Sequence, residues 1–168
     1  MVVDSFLEIA HRVVWCTLAT VDRHGRPRSR IVHPIWERDG DGLTGWVVTR
    51  PTALKRAHLE HSPYVSCSYW DQEHDVATAE CRASWSGDLD RAFALFRAAE
   101  PPLGYDPATL APARSELAVL RLEPWRLRSA PVSILSTGGE ALVWTGSRCS
   151  ATPATTSATP ATSTAVGT

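Results

Sequence analysis

Features that would assign the chain to several common functional classes are missing from its 168 residues. No apolar run approaches the roughly 20 residues that a membrane-spanning helix needs. The N-terminal segment MVVDSFLEIAHR carries two early acidic residues and lacks the basic stretch that opens a signal peptide, so we expect a cytoplasmic protein. Lys plus Arg total 17 against 18 Asp plus Glu, a balance that argues against a nucleic-acid-binding surface.

The short motifs of several enzyme and metal-binding classes are also missing. There is no GxGxxG after a predicted strand, no P-loop and no GxSxG. The acidic segments ERDGDG and DQEHD lack the loop of an EF-hand, and we predict no metal site in them. The four cysteines stand far apart without a CxxC spacing, and we interpret Cys16, Cys67 and Cys81, which lie in apolar strand-like segments, as buried apolar side chains in a reducing compartment. The fourth, Cys149, begins the C-terminal tail.

Lysine is nearly absent, because 16 of the 17 basic residues are arginine and Lys55 is the only lysine. It follows a predicted strand that ends at Thr49, and Pro51 between them suits the first turn of a helix. An ammonium in the first turns of a helix is placed to bind an anion, since the helix N-terminus adds its own partial positive charge. The alternative is a single lysine on a solvated helix face.

The remaining pattern predicts a mainly β fold with peripheral helices. Segments rich in β-branched and alternating apolar residues predict strands over residues 15–21, 28–37, 43–49, 64–70, 76–85 and 115–130, the last as one strand or as two broken at Pro124. The segments PVSIL and ALVWTG predict a closing hairpin. Helical spacing predicts helices over residues 5–14, 52–61 and 87–99. We expect a six- to eight-stranded antiparallel barrel with helices packed outside.

Composition divides the chain into one domain, residues 1–148, and a tail, residues 149–168. The tail repeats ATPATTS almost unchanged as ATPATST, carries no charge and has almost no large apolar group. Because such a segment cannot bury enough surface to offset its ordering entropy, we predict that it is disordered.

The order of motifs between residues 16 and 86 resembles the pyridoxamine 5'-phosphate oxidase-like split-barrel family, which binds FMN or the deazaflavin F420. The segment LATVDRHGRPRSRIV matches the first hairpin of that family, and a strand ending in Thr follows. The helix pattern K-x-x-x-L-x-x-x-P-x-V is matched by Lys55, Leu59, Pro63 and Val65. The resemblance covers about residues 5–130, and it implies a split β-barrel homodimer with the cofactor in a cleft between two subunits.

The resemblance also implies which side chains contact the cofactor. The flavin phosphate is expected on Arg30, Thr49 and Lys55, where a planar guanidinium fork and a compact ammonium complement its oxygens. The backbone and side chains beside these residues are expected along the isoalloxazine ring: Ile31, Val32, His33 and Val48. His33 is expected as a hydrogen-bond donor to flavin or substrate, or alternatively as a partly buried polar residue beside Pro34.

The partner subunit is implied to contribute residues from the connection between the fourth and fifth strands and from the late strands. These positions are occupied by Trp70, Asp75, Trp125 and Arg126. We expect the two tryptophans to stack on the ring or close the substrate pocket. The alternative for each is packing in the core or at the subunit interface.

One departure from the family pattern leaves the cofactor open. The helix start that often reads S-R-K in the family reads Ala53, Leu54, Lys55 here, so a hydroxyl and a cation are missing, unless Thr52 or Arg50 replaces them. The sequence therefore favours an FMN-dependent oxidoreductase acting on an unidentified small molecule, without an assigned catalytic residue. The alternatives are an F420-dependent reductase, a non-catalytic flavin-binding protein, a haem-binding protein with His33 on the iron, and a cofactor-free member of the fold.

Overall fold

The computed structural model describes residues 1–146, so the predicted disorder of residues 149–168 and the environment of Cys149 lie outside the described residues. Within this range the strands are β1 Cys16–Val21, β2 Pro27–Val32, β3 Ile35–Asp39, β4 Gly42–Thr49, β5 Tyr64–Trp70, β6 Val76–Ser86, β7 Ala118–Ala130 and β8 Leu142–Thr145. The helices are α1 Val2–Val13, α2 Ala53–His61, α3 Leu89–Ala98 and α4 Val132–Ser136. Two short 3₁₀ turns, Pro107–Leu110 and Arg114–Glu116, lie between α3 and β7.

The strands form one eight-stranded sheet in the order β2-β1-β5-β6-β7-β4-β3, with β8 paired to β7. Every pair of neighbours is antiparallel. The predicted mainly β, antiparallel barrel of six to eight strands with few helices is therefore confirmed.

The predicted strand over residues 28–37 is wrong in one respect, because it is two strands. β2 pairs with β1, whereas β3 pairs with β4, and the chain changes partner at His33 and Pro34. Pro34 has no N–H to donate to a strand ladder, which explains why pairing is interrupted there. His33, at the break, lines a cleft.

The predicted hairpin between PVSIL and ALVWTG is also wrong. The first segment forms the short helix α4, and β8 pairs with β7 instead, with Trp144 opposite Leu127. Pro131 immediately precedes the helix, a position where its fixed φ and missing N–H favour helix initiation. The segment 115–130 is one strand, β7, but its register with β6 shifts between Glu80 and Cys81. That bulge leaves Trp125 without an opposite residue.

The core is built around aromatic contacts between α1 and the sheet. Phe6 is fully buried and meets Trp36 and Tyr69 edge-on, at centroid distances of 5.2 and 6.0 Å. The Trp36 indole N–H donates to the Tyr69 hydroxyl over 2.7 Å, which satisfies a polar group inside the barrel. A second cluster packs α3 on β4 and β7 through Phe93 and Phe96.

Two further features bear on the class of protein. Cys16, Cys67 and Cys81 are buried and unpaired, in agreement with their interpretation as small apolar side chains. In the part of the chain that the structure describes, no helix has the length and apolar character needed to cross a membrane.

Candidate functional site

Arg30, Thr49 and Lys55, which lie on three different elements, converge on one small cavity. The Lys55 ammonium donates to the Thr49 hydroxyl over 2.5 Å and to the Arg50 carbonyl over 3.0 Å. The turn after β4 produces this arrangement, because the Thr52 hydroxyl caps α2 by accepting from the backbone N–H of Lys55 over 3.4 Å. Lys55 is thus held in the first turn of α2 with its side chain directed back toward the end of β4.

The substitutes considered for the missing hydroxyl and cation are engaged elsewhere. The Thr52 hydroxyl serves as the helix cap, and the Arg50 guanidinium lies 3.9 Å from the Glu116 carboxylate. Neither Thr52 nor Arg50 lines the cavity, so the charged groups available to an anion there are Arg30 and Lys55, with the Thr49 hydroxyl beside them.

The cavity has a strongly electropositive character. Burial is the main cause that lowers the pKa of Lys55, and the positive charge of Arg30 lowers it further. Burial also lowers the pKa of Arg30. Within residues 1–146 neither cation forms an ion pair with a carboxylate. Two neighbouring cations without a counterion bind an anion favourably, since the anion relieves their repulsion and replaces lost hydration.

Two residues behind Arg30 were not predicted from the sequence. An Arg30 Nη atom donates to the Thr20 hydroxyl over 2.8 Å, and that hydroxyl lies 2.9 Å from the Nδ1 atom of His58. Both Thr20 and His58 are buried. The only sequence signal was the position of His58 three residues after Lys55, on the same side of α2.

A second, larger cleft of about 360 Å³ adjoins the cationic cavity. The two share Val32, Val47 and Thr49 as lining residues, so they lie side by side. The cleft is lined mainly by apolar and aromatic side chains: Trp15, Ile31, Val32, His33, Val47, Val48, Thr49, Pro102, Tyr105 and Leu110. Its size and character suit a planar aromatic group, with the anionic end of the same molecule at Arg30 and Lys55.

His33 supplies a buried polar atom to the cleft. Its ring packs against Trp15, Tyr105 and Phe96 at centroid distances of 5.1, 5.0 and 5.3 Å. Burial lowers the pKa of His33, opposed by a hydrogen bond to the backbone of Leu103, so the imidazole favours its neutral form. Its Nε2 atom is buried without a partner among the described residues. The nitrogen left for a ligand is therefore an acceptor, whereas the sequence suggested a donor.

Trp85 lines the cationic end of the site and carries a second unpaired polar atom. It lines the same cavity as Arg30 and Lys55, and its indole N–H is buried without a partner among residues 1–146. The Arg56 guanidinium lies 5.2 Å from the centre of the indole ring and covers it. The sequence indicated only that Trp85 ends a strand of alternating faces, so this residue was missed.

The four residues expected to contribute to a partner subunit, Trp70, Asp75, Trp125 and Arg126, do not line either cavity of their own chain, and Arg126 donates to the Glu80 carboxylate over 2.9 Å. Trp70 is 60% exposed, and its ring lies beside His74 at 5.7 Å. The Asp75 carboxylate accepts from Arg12 over 2.7 Å and from the backbone N–H of Val132 over 2.8 Å. Trp125 lies at the bulge of β7 with its indole N–H buried and unpaired. Their contribution to a neighbouring subunit stays a prediction.

Comparison with known proteins gives a family and a fold. A family model described as pyridoxamine 5'-phosphate oxidase matches residues 3–129. A search of curated protein sequences finds no match.

Solved structures share the fold at low sequence identity. A haem-binding protein from Mycobacterium smegmatis superposes with a TM-score of 0.62 at 19% identity, over 86% of this chain and 58% of that one. An FMN-binding protein related to pyridoxamine 5'-phosphate oxidase, from Nostoc punctiforme, gives 0.56 at 15% identity, over 85% and 93%. A haem storage protein from Vibrio cholerae gives 0.54 at 18% identity, over 85% and 91%. The chain thus spans little more than half the length of the mycobacterial protein.

Proposed function

The chain belongs to the pyridoxamine 5'-phosphate oxidase family, and on this premise we propose that it binds FMN across the two neighbouring cavities and acts as an oxidoreductase on a small molecule. One observation carries the proposal, namely that Arg30 and Lys55 converge without a counterion at the end of an apolar cleft. FMN has the matching chemistry, with a phosphate at one end and a flat, largely apolar ring system at the other. Bound FMN would supply hydride transfer, while the protein supplies binding, orientation and electrostatics.

At the phosphate end, the three donors have different chemical roles. Arg30 presents a planar fork that grips two oxygens, and Lys55 presents a compact charge that exchanges its contacts with Thr49 and Arg50 for the phosphate. The buried N–H of Trp85 donates to an oxygen of the ligand. A buried donor without a hydrogen-bond partner is uncommon in proteins, so the unpaired N–H of Trp85 supports a ligand oxygen beside it.

At the ring end, side chains fix the orientation of the flavin and exclude water. Val32 and Val48 provide apolar contact surface, and the His33 Nε2 atom accepts from an N–H on the polar edge of the ring. No side chain of the cleft is assigned as a general acid or base, because hydride transfer does not require one. The substrate approaches the face of the ring that the cleft leaves open.

A homodimer completes the site in this proposal. Trp15 and Ile31 line the cleft and yet are 58% and 64% exposed, a large apolar area for two adjacent side chains. A second subunit that covers this area would bring Trp70, Asp75 and Trp125 toward the cofactor. The expected outcome is a dimer in solution whose dissociation weakens cofactor binding.

Haem is the second candidate ligand, and a specific atom favours it. The unpaired Nε2 of a neutral His33 is the form of imidazole that ligates iron. Haem carboxylates would then meet the cationic end of the site. The deazaflavin F420 is the third candidate, because it carries a phosphate and a flat ring that the same two cavities accommodate.

A titration of the purified chain with FMN, F420 and haemin separates these candidates. The proposal expects quenching of flavin fluorescence at micromolar FMN, a perturbed visible flavin spectrum and weaker binding of riboflavin, which lacks the phosphate. A shifted Soret band with haemin that disappears in His33→Leu would favour the haem candidate. Binding of F420 with no binding of FMN would favour the deazaflavin, and binding of none of the three would overturn the proposed function.

A further inference from the structure

We propose that Thr20 and His58 are positioning residues that hold the Arg30 guanidinium beside Lys55 before any ligand arrives, and that they thereby set the preference for a phosphorylated flavin over an unphosphorylated one. The inference rests on the proposed function for the identity of the ligand. Its structural part, the fixing of Arg30, is independent of that identity.

The first reason for assigning His58 a positioning role is that it is the residue that α2 buries. Among the nine residues of this helix, the buried one is His58, which is 3% exposed. A short helix usually packs on a sheet through Leu, Ile or Val, and burying an imidazole instead costs free energy unless its nitrogens find partners. A histidine at this position is therefore explained by the contact it makes, the 2.9 Å hydrogen bond between its Nδ1 atom and Thr20.

The proton positions in the chain of contacts give the second reason. Arg30 can only donate, so the Thr20 oxygen accepts from it over 2.8 Å. The hydroxyl proton of Thr20 is donated either to the Nδ1 atom of His58 at 2.9 Å or to the Arg28 carbonyl at 3.4 Å, and in the second case a protonated Nδ1 donates to the Thr20 oxygen. In both tautomers of His58, every contact of the relay from Arg30 through Thr20 to His58 pairs a donor with an acceptor.

The relay joins three elements at the phosphate end of the site. Thr20 lies on β1, Arg30 on β2 and His58 on α2, which also carries Lys55 one turn earlier. Both cations are consequently positioned relative to the same helix, Lys55 directly and Arg30 through two hydrogen bonds. An arginine that is already ordered loses less conformational entropy when it binds, so the relay strengthens binding of the group that Arg30 contacts and leaves the rest of the ligand unaffected.

The test compares FMN and riboflavin binding in variants that remove both buried partners behind Arg30. Thr20→Val combined with His58→Leu replaces both buried groups by apolar ones of similar size. The matched controls are Thr17→Val, an exposed threonine on the same strand, and His61→Leu, an exposed histidine on the same helix. Thr20→Ser keeps the hydroxyl and is expected to behave as the wild type.

The expected result is a selective loss of affinity for the phosphorylated ligand. We expect the Kd for FMN to rise about three- to tenfold in the double variant and the Kd for riboflavin to stay unchanged. The rise is smaller than the loss of a whole charged hydrogen bond, because Arg30 is still present and only its preorganisation is lost. In an Arg30→Ala background the same double substitution should add no further loss, because the relay acts through Arg30. An unchanged FMN affinity, an equal loss for both ligands, or full additivity with Arg30→Ala would overturn the proposal.

A measurement without ligand separates this inference from the proposed function. The arginine side-chain N–H signals of the full chain are recorded by NMR, with the Arg30 signal assigned through Arg30→Lys. We expect a rigid Arg30 in the wild type and in Thr20→Ser, and a mobile one in the double variant. A wild type that binds no FMN but shows this difference would refute the flavin and retain the relay, whereas an equally mobile Arg30 in all proteins would refute the relay.

Discussion

The Lys55 ammonium lies 2.5 Å from the Thr49 hydroxyl, so the only lysine of the chain has its charge directed at the end of β4 rather than into solvent. Its second contact, the Arg50 carbonyl at 3.0 Å, is also a neutral oxygen. Neutral oxygens solvate an ammonium but do not cancel its charge, and Arg30 adds a second positive charge to the same cavity. Residues from β2, β4 and α2 thus create a site that suits an anion.

The first prediction concerns the strength of the phosphate contacts. Lys55→Ala and Arg30→Ala should each weaken FMN binding by about 1–3 kcal/mol, the range for a lost charged hydrogen bond. Riboflavin binding should change little in either variant, because riboflavin has no phosphate. Isothermal titration calorimetry with both ligands measures the difference. Arg28→Ala is the matched control, since Arg28 lies on the same strand and is exposed; unchanged FMN affinity in both site variants would show that the phosphate binds elsewhere.

The second prediction concerns pH. Burial, together with the charge of Arg30, lowers the pKa of Lys55 below its ordinary value of 10.5. Phosphate binds the protonated amine, so FMN affinity should be complete below the lowered pKa and should fall as pH rises through it, earlier than for an exposed lysine. Lys55→Arg keeps its charge and should remove this loss, while ionisation of the flavin itself affects both proteins equally. Identical alkaline profiles for the two proteins would contradict the assignment of Lys55.

The same pKa shift has a consequence for the ligand-free protein. Because the folded state holds the Lys55 proton less tightly than the unfolded state, the contribution of Lys55 to the free energy of unfolding increases as pH rises from the lowered pKa toward 10.5. Bound FMN should reduce this effect, since a phosphate dianion favours the protonated amine.

Local sequence order was sufficient to predict part of the fold and of the site. Arg30, Thr49 and Lys55 each stand at a fixed distance from a strand end or a helix start, so their convergence followed once the strands were assigned. The helix at 132–136 was missed because a short apolar segment fits a strand or a helix equally well by periodicity. Pro34 is suited to a point where strand pairing is interrupted, but the change of partner there depends on how distant strands are arranged.

The roles of His58 and Trp85 could not be predicted from the sequence for a different reason. His58 occurs in a polar helix, where a histidine is usually solvated, and its burial is set by packing of α2 on β1. Trp85 was one of seven tryptophans, and its unpaired N–H depends on which groups from distant strands surround it. Both residues stand out only in the folded chain, where the burial and the hydrogen-bond partners of each polar atom are defined.

The third prediction tests the unpaired indole of Trp85. Trp85→Phe removes the N–H and keeps most of the apolar contact, so FMN affinity should fall about tenfold if the N–H donates to a charged oxygen. NMR of the indole N–H signals provides a second measurement, because the Trp85 signal should move downfield when FMN or inorganic phosphate is added. Trp144→Phe, which removes an indole outside both cavities, is the control. A Trp85 signal that FMN leaves unmoved would remove this residue from the site.

The fourth prediction concerns the stability of the barrel. Tyr69→Phe deletes the hydroxyl that accepts from the Trp36 indole over 2.7 Å and leaves a buried N–H unpaired. We expect a loss of about 1–3 kcal/mol in the free energy of unfolding, the cost of desolvating such a group without a partner. Tyr64→Phe is the control on the same strand, because Tyr64 is 45% exposed. Equal stabilities of the two variants in urea denaturation would show that the Trp36 contact contributes little.

The fifth prediction separates the two ends of the ligand. His33 lines the apolar cleft and offers a neutral acceptor, so His33→Leu should weaken FMN and riboflavin by the same amount, about 0.5–1.5 kcal/mol for a neutral hydrogen bond. Arg30→Ala should weaken FMN alone, and the combined variant should show additive losses, since the two side chains contact different parts of one molecule. His61→Leu, on the exposed side of α2, serves as the control.

Each possible change in ligand affinity caused by His33→Leu assigns His33 to a different part of the ligand. Equal losses place His33 at the part that FMN and riboflavin share, the ring system. A loss confined to FMN would place His33 at the phosphate and would contradict the orientation proposed for the ligand. A His33→Leu variant that binds flavin unchanged but no longer gives a haemin-induced Soret shift would identify His33 as an iron ligand. Coordination of iron needs the lone pair of the Nε2 atom, whereas a flavin can bind without using it.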